Sequence, residues 1–471
     1  MPEPLYQSRP DLFGRLRLSI LSGVFPPGAR MPASRTLAQE LGVARQTVVA
    51  AYEQLADQGY VHARIGAGTF VATDLPDQRP APSPTPSGTA RLSRRGAEIL
   101  ATTATAVAHR SALLAPGIPA AELFPARTWA ACVAHACRTE PTAGYPDPLG
   151  LPALRMAIAA HLAATRGLLA DPGCILVTAG TQQALRIAAE ILLDPGDAVW
   201  VEDPGYIAGR GAMMAAGATP VAVPSDGAGL DVAAGWGLAP LARMALVAPS
   251  HSTPLGGAMP VGRRAALLEW AAGADAWVLE DDCDSEFRWT GKPLPPLATL
   301  DRVGRVVYCG TFSKTMTPGL RVGFAVLPAS LMPAALRART LMDRGPGTLA
   351  QAALAEFMRR GLLAPHIRRM RTEYARRRDA VLQALARYCP SVEPVIAPGG
   401  LHMVARLAPG IDDRALTRSA QSAGLGIAPL SAYFAGRPRD PGIVLGFAST
   451  PVPLAADAAR RLERSIASLP R

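Results

Sequence analysis

The run TFSKTMTPGLRVG, residues 311–323, contains one of only two lysines in a chain with 48 lysines and arginines together. This lysine is Lys314, and the other is Lys292. A lysine with a lowered pKa can form a Schiff base with an aldehyde, whereas an arginine cannot. Two hydroxyls and a guanidinium that suit a phosphate lie nearby, on Thr311, Ser313 and Arg321. The run therefore predicts a site for an aldehyde that carries a phosphate.

Pyridoxal 5′-phosphate is such an aldehyde, and its ring nitrogen requires an acidic partner. Asp281 ends a predicted strand in WVLEDDCDSEF, residues 277–287, and suits that role. In ILVTAGTQQALRIAA, residues 175–189, a strand leads into a helix whose first N–H groups favour an anion. The residues at this helix start are Gly180, Thr181 and Gln182. Tyr206, on the loop of VEDPGYIAGR, is a candidate to stack on the cofactor ring.

Each of these features, taken alone, has an ordinary structural explanation. A lysine is usually an exposed charge, an aspartate is more often a helix cap or an ion-pair partner, and residues 180–182 resemble a common strand-to-helix turn. Four such features in a consistent order on one chain favour a cofactor site. An α/β fold must then bring them together.

Short apolar runs alternate with alanine-rich helical patterns around these residues. Such runs are typical of buried strands, and they cover residues 174–178, 198–202, 244–249, 276–282 and 305–311. Their alternation with helical segments predicts an α/β fold with a mostly parallel sheet.

The N-terminal 73 residues contain a second functional pattern. Ser34 is a candidate N-cap for a helix through Leu41, Gly42 makes a turn, and residues 44–59 have the period of a second helix. Two short strands with a glycine turn follow in residues 60–72. This pattern predicts a winged helix-turn-helix of α+β type that binds double-stranded DNA. A small protein-binding bundle is the alternative.

Three polar residues at the start of the second helix are expected to enter the major groove, where arginine and glutamine pair with base edges. They are Arg45, Gln46 and Thr47. Phosphate and wing contacts are expected from Arg30, Ser34, Arg35, Arg64 and Thr69. The net charge of +11 favours a polyanionic partner only weakly, and the arginine-rich residues 359–379 are interpreted as a solvated helix face.

Composition excludes several classes of protein. Every apolar run is interrupted before about 18 residues, so no membrane span is predicted, and the N-terminus lacks a signal-peptide pattern. Six cysteines in 471 residues do not indicate a disulfide framework. Cys132, His135 and Cys137 lack a second ligand pair at zinc spacing. We therefore expect a soluble cytoplasmic protein without a metal.

The proline-rich stretch DLPDQRPAPSPTPSGTA, residues 74–90, separates the two patterns. Its composition favours an extended linker that does not pack against either side. We expect a DNA-binding domain at residues 1–73, a linker at 74–111, and a cofactor-binding and dimerisation domain at 112–471.

Residues 22–72 resemble the winged helix of GntR-type bacterial regulators. Residues 112–465 are similar to fold-type I aminotransferases through GYPDPLGLPALR, EDDCDSEFRW and TFSKTMTPGLRVG. Together, about residues 1–75 and 112–465 resemble the MocR-type branch of GntR regulators. The resemblance implies a pyridoxal phosphate domain with a large, mostly parallel sheet and a small C-terminal subdomain, in a homodimer. It also implies that His251 contacts the cofactor and that Tyr145 reaches the cofactor of the other subunit.

The chain departs from the family pattern in ways that concern catalysis. Cys283 replaces a tyrosine that the family uses to bond the cofactor's ring oxygen, and a thiol is a poor donor. Aminotransferases hold the substrate carboxylate with an arginine near the last strand, but residues 442–450 contain none. Arg210 or Arg437 would serve only if the fold brings it in. We expect cofactor binding to be kept and transamination to be weak.

We interpret the chain as a pyridoxal phosphate-dependent transcriptional regulator. It would sense the cofactor, an amine or an amino acid through an aldimine at Lys314. Such an effector must bind two states of the protein with different affinities. One alternative is a working aminotransferase with an accessory winged helix, and another is a regulator whose second domain only dimerises.

Overall fold

The computed structural model describes residues 12–64, 66–76, 91–102, 112–139, 144–291, 294–439 and 441–469. Contacts divide the chain into two compact units, residues 1–91 and 92–471. Within the described ranges, no helix is long and apolar enough to span a membrane. All six cysteines are free thiols.

The described part of the first unit is a winged helix. Its helices are α1 (Leu12–Leu21), α2 (Ser34–Leu41) and α3 (Arg45–Asp57), and its strands are β1 (Val61–Arg64) and β2 (Gly68–Val71). Gly42 ends α2 with a φ of 63°, which allows the tight turn into α3. The predicted cap is wrong by one position, because Ala33 has the extended N-cap backbone and Ser34 is already helical. The buried face of α3 follows the predicted helical period, with Val48, Ala51 and Leu55.

The second unit contains a large α/β domain and a smaller C-terminal subdomain. Its helices are α4 (Arg94–Ala101), α5 (Ala126–Thr139), α6 (Pro152–Arg166), α7 (Thr181–Leu192), α8 (Ile207–Ala216), α9 (Val232–Leu238), α10 (Val261–Gly273), α11 (Met332–Asp343), α12 (Thr348–Arg359), α13 (Leu363–Tyr388), α14 (Asp413–Ser422) and α15 (Ala455–Ala467). Its strands are β3 (Ile175–Thr178), β4 (Ala198–Asp203), β5 (Thr219–Asp226), β6 (Gly229–Leu230), β7 (Met244–Val247), β8 (Trp277–Asp282), β9 (Val306–Thr311), β10 (Gly323–Val326), β11 (Val392–Val395), β12 (His402–Leu407), β13 (Ala428–Pro429) and β14 (Gly442–Gly446). Each of the five predicted apolar runs contains a strand.

The large sheet has the order β3-β10-β9-β8-β7-β4-β5-β6, and the small sheet the order β11-β12-β14-β13. Parallel pairing joins β9, β8, β7, β4 and β5, which confirms the mostly parallel sheet. β10 is antiparallel to β9 because residues 312–322 return the chain without a crossover helix. Helices α7, α8 and α11 cover one face of the sheet, and α9 and α10 cover the other.

One helix lies within the range predicted as a linker. The Ser93 side chain caps α4 by accepting a hydrogen bond from the Gly96 N–H, and Arg95 donates to the Ala215 carbonyl at the end of α8. Most of the predicted linker lies outside the described residues, namely 77–90 and 103–111. Helix α4 is thus part of the second unit, although it precedes residue 112.

Candidate functional site

A cavity of about 290 Å³ lies at the carboxyl ends of β8 and β9. Parallel pairing of these strands sets Asp281 opposite Cys309, so the residues that follow each strand meet at one edge. Ligands of open α/β sheets bind at such an edge. The cavity wall contains nine of the predicted cofactor residues, namely Thr181, Gln182, Tyr206, Asp281, Cys283, Thr311, Ser313, Lys314 and Arg321.

The amine of Lys314 donates a hydrogen bond to the Gly117 carbonyl, with 2.5 Å between nitrogen and oxygen. Residues 116–118 line the cavity, although the sequence patterns do not indicate them. The one sequence signal for these residues is the Pro116-Gly117 pair, which predicts a turn but neither a strand nor a helix. A side chain on Gly446 of β14 would collide with the Ala115 carbonyl, so this glycine lets the segment cross the small sheet.

The hydroxyl and guanidinium groups lie next to the start of α7. Gly180 precedes α7 with a φ of 109°, and a Cβ added there would be 3.1 Å from Nη2 of Arg321. The guanidinium therefore packs on bare backbone that only glycine provides. The Ser313 N–H donates to Oγ1 of Thr311 at 3.1 Å, and the two side-chain oxygens are 3.0 Å apart. This set suits a phosphate.

Tyr206 and Gln182 form the wall near α8. A Cβ added to Gly209 would lie 2.7 Å from Cδ1 of Tyr206, so the phenol ring packs closely over the first turn of α8. The side-chain amide of Gln182 donates to the Ala208 carbonyl at 2.7 Å. Because this amide is engaged, the group that Gln182 can offer to an anion is its backbone N–H.

Asp281 is 7% exposed, and its Oδ1 has no hydrogen-bond partner among the described residues. Burial, together with the carboxylates of Asp282 and Asp284, raises the pKa of Asp281 to about 7. Asp282 is held differently, since Arg166 and the Tyr308 hydroxyl each bind it at 2.7 Å. A buried carboxyl oxygen without a partner among the described residues needs a donor, and a pyridinium N–H is such a donor. The residues present therefore fit pyridoxal phosphate.

Asp281→Asn should weaken cofactor binding and stabilise the cofactor-free protein. The raised pKa means that the folded state binds more protons than the unfolded state between about pH 4 and pH 7, so the carboxyl's contribution becomes less favourable as pH rises through that window. The variant should melt a few degrees above the wild type at pH 8 and level with it near pH 4. Thermal denaturation with and without pyridoxal phosphate measures both effects.

Asp282→Asn is the matched control for that variant. It breaks the buried pair with Arg166 and should lower the melting temperature at pH 8. If Asp281→Asn also melts below the wild type at pH 8, Asp281 does not carry the unfavourable buried carboxyl.

Two predicted positions, His251 and Tyr145, lie outside the wall, and Cys283 lies within it. His251 lies behind the cavity wall, with its Nδ1 3.0 Å from Oδ1 of Asp284 and its ring centroid 5.2 Å from that of His402. Burial opposes a charge on His251, but Asp284 raises its pKa. The Cys283 thiol lines the cavity, and burial beside carboxylates raises its pKa, so the thiol is neutral. Tyr145 is 79% exposed and does not line this cavity.

The arginines considered for a substrate carboxylate do not reach the described cavity wall. Nη1 of Arg210 donates to the Tyr433 carbonyl at 3.2 Å, and Arg437 is exposed. Arginines of the segment 359–379 also serve the domain itself. Arg371 donates to the Glu286 carbonyl, and Arg377 is buried and bonded to carboxylates. The arginines of this segment thus make more contacts within the domain than those of a solvated helix face would.

The predicted DNA-contacting residues lie in two parts of the winged helix. Arg45, Gln46 and Thr47 form the exposed first turn of α3, and Nε of Arg45 is 3.4 Å from Oγ of Ser34 at the start of α2. In the wing, the side chain of Arg30 packs over Gly68, and the Arg64 guanidinium lies 4.9 Å from the Phe70 ring centre. Arg35 is exposed and Thr69 is half-buried.

Two family models match the chain. The model of bacterial regulatory proteins of the gntR family matches residues 10–71, and that of class I and II aminotransferases matches residues 120–432. The fold and these matches define a DNA-binding regulator joined to an aminotransferase-like domain.

The chain also resembles complete proteins. The probable rhizopine catabolism regulatory protein MocR of Rhizobium meliloti is 38% identical over 446 residues, which cover 93% of this chain and 89% of that protein. The pyridoxine biosynthesis transcriptional regulator PdxR of Corynebacterium glutamicum is 35% identical over 439 residues, 93% of this chain and 91% of that protein. The chain belongs to the MocR-type family of GntR regulators.

A solved structure supports the same conclusion for the second unit. The kynurenine aminotransferase of Pyrococcus horikoshii matches with a TM-score of 0.69 and 29% identity, over 75% of this chain and 90% of that chain. The chain is therefore a transcriptional regulator, and the cofactor of its aminotransferase-like domain is pyridoxal 5′-phosphate.

Proposed function

We propose that the protein is a cytoplasmic homodimer that changes its DNA affinity when a small effector binds beside Lys314. The observation that carries this proposal is the unpartnered, buried Oδ1 of Asp281 in the same cavity as the Lys314 amine. When bound, pyridoxal phosphate supplies an aldehyde that condenses with amines and an absorption band that reports this state. Such a site lets the regulator detect the cofactor, or an amine that competes with Lys314 for it.

Each residue of the cavity then has a separate task. Lys314 provides the amine, and Asp281 holds the proton of the ring nitrogen. Tyr206 covers the ring, while Cys283 supplies a neutral thiol in place of a phenol. The phosphate would be held by Gly180, Thr181, Gln182, Thr311, Ser313 and Arg321. We retain Tyr145 as a contact to the cofactor of the second subunit, and His251 as a positioning residue that holds Asp284 in the wall.

In the winged helix, Arg45, Gln46 and Thr47 would read bases in the major groove. Phosphate and wing contacts would come from Arg30, Ser34, Arg35, Arg64 and Thr69. Two such domains in a homodimer would bind paired half-sites. The domain limits of residues 1–73, 74–111 and 112–471 remain our proposal for how these parts are divided.

Binding to the DNA upstream of the gene, followed by fluorescence anisotropy, tests the proposal. The dissociation constant should change when pyridoxal phosphate is added to the cofactor-free protein, because an effector acts through its different affinity for the two states. An unchanged constant with cofactor and with every amine tried would contradict ligand control. Absence of binding at low salt would contradict DNA recognition.

A further inference from the structure

The turn that carries the phosphate residues is held from behind by Gln183. This side chain belongs to the first turn of α7 and is not part of the described cavity wall. Its Oε1 accepts a hydrogen bond from the Ala179 N–H at 2.7 Å, and its backbone N–H donates to the Gly180 carbonyl. A glutamine that reaches back across a helix start in this way fixes the turn. The positions of Gly180 and Thr181 therefore depend on where Gln183 is anchored.

Gln183 is anchored at the end of α11. Its Nε2 donates to Oδ2 of Asp343 at 2.8 Å, and its Oε1 also accepts a hydrogen bond from Nη1 of Arg339. The Arg339 side chain is fully buried, and its Nε lies 3.0 Å from Oδ1 of Asp343. Separating a buried guanidinium from its carboxylate is strongly unfavourable. These three side chains thus form one connected group between the start of α7 and the end of α11.

The same carboxylate fixes the turn that follows α11. Oδ1 of Asp343 accepts a hydrogen bond from the Gly345 N–H at 3.0 Å. A Cβ added to Gly345 would lie 3.2 Å from Cγ of Pro146, so this turn packs directly on the segment that follows Tyr145. The Arg344 guanidinium lies 5.0 Å from the centre of the Tyr145 ring, a distance suited to a cation–π contact. The turn therefore positions a phenol that is 79% exposed.

We infer that Gln183 is a positioning residue that couples the two cofactor sites of the homodimer, so that filling one site favours filling the other. The inference rests on the proposed function, because it takes from there the contact of Tyr145 with the cofactor of the second subunit. A phosphate bound at the start of α7 orders the turn held by Gln183 and, through Asp343, the turn that holds Tyr145. The second site then receives a phenol already in place, so binding there costs less conformational entropy.

Equilibrium titration of the cofactor-free, full-length dimer with pyridoxal phosphate tests this inference. The absorbance of the bound cofactor gives the fraction of filled sites. Independent sites give a Hill coefficient of one, and the upper limit for two sites is two. The wild type should give a coefficient of about 1.5. A wild-type coefficient of one or below overturns the inference.

Sedimentation and the total uptake of cofactor separate this inference from the proposed function. If the protein takes up no cofactor or sediments as a monomer, the proposed function fails together with the inference. If a dimer fills both sites without cooperativity, the proposed function stands and only the inference fails.

Gln183→Met should lower the Hill coefficient to about 1. Methionine is similar to glutamine in length, but its thioether is a weak acceptor for the Ala179 N–H and cannot donate to Asp343. Melting temperature and sedimentation verify that the variant is folded and dimeric. A merely structural role of Gln183 would lower the affinity of both sites and leave the coefficient unchanged.

Arg344→Gln tests the far end of the same connection. It removes the cation from the Tyr145 ring and leaves the contacts of Gln183 in place, so the first site should keep its affinity within about twofold while the Hill coefficient falls. Arg337→Gln is the matched control, since Arg337 is an exposed residue about two turns earlier on α11, and it should keep the coefficient of the wild type. Cooperativity that survives in either folded, dimeric variant at Gln183 or Arg344 overturns the inference, as does its loss in the control.

Discussion

Lys314→Arg should lose all covalent attachment of pyridoxal phosphate while the fold and basal DNA binding are kept. Arginine retains the positive charge and the length of the side chain, but it has no neutral amine that can attack an aldehyde. Lys314→Ala should give the same loss, because no other described lysine lies in the cavity. The visible absorbance of the loaded protein should disappear in both variants, and borohydride should trap no adduct.

The small number of lysines makes this measurement unusually direct. Lys292 is the other lysine of the chain, so peptide mass spectrometry after reduction has two candidate sites. Lys292→Ala serves as the control and should still carry the reduced cofactor on the peptide that contains Lys314. A trapped adduct that persists in Lys314→Ala would show that the Schiff-base lysine is misassigned.

The double variant Arg45→Ala with Gln46→Ala should bind its specific DNA roughly 100-fold or more weakly. Each bidentate contact between a side chain and a base is worth about 1–3 kcal/mol, and about 1.4 kcal/mol corresponds to a factor of ten. The two residues lie on the exposed first turn of α3, whereas the core of the winged helix is formed by the opposite face. Melting temperature and cofactor binding should therefore change little. Anisotropy titrations with specific and unrelated DNA measure the effect.

Gln54→Ala is the matched control on the same helix. Gln54 is exposed but lies toward the end of α3, two turns beyond Gln46, so its loss should leave the affinity unchanged. Equal binding of specific DNA by the double variant and the control would contradict the role of α3 as the recognition helix.

Local periodicity was enough to predict most of the scaffold. The buried face of α3, the winged hairpin and the five strands follow from the spacing of apolar residues and glycines, which is a property of neighbouring positions. The same holds for the edge where Asp281 and Lys314 meet, because two consecutive parallel strands must end on the same side of a sheet. The exact helix start at Ser34 depended on backbone angles, which residue type alone does not fix.

The parts that could not be predicted depend on contacts between distant segments. Residues 116–118 have no helical or strand pattern, yet they line the cavity, where the Lys314 amine donates to the Gly117 carbonyl. The pair between Arg166 and Asp282 is another example, since its members are separated by 116 positions in the sequence. For His251, the motif was visible in the sequence, but its place behind Asp284 was not.

Gly446 has a consequence for how this regulator can diversify. Position 446 lies in the last strand, far in sequence from Ala115, yet any side chain there would collide with the Ala115 backbone. A substitution at 446 therefore requires a new backbone path for residues 115–118, which include Ile118 of the cavity wall. A change in the last strand can thus reshape the cavity without altering any side chain that lines it.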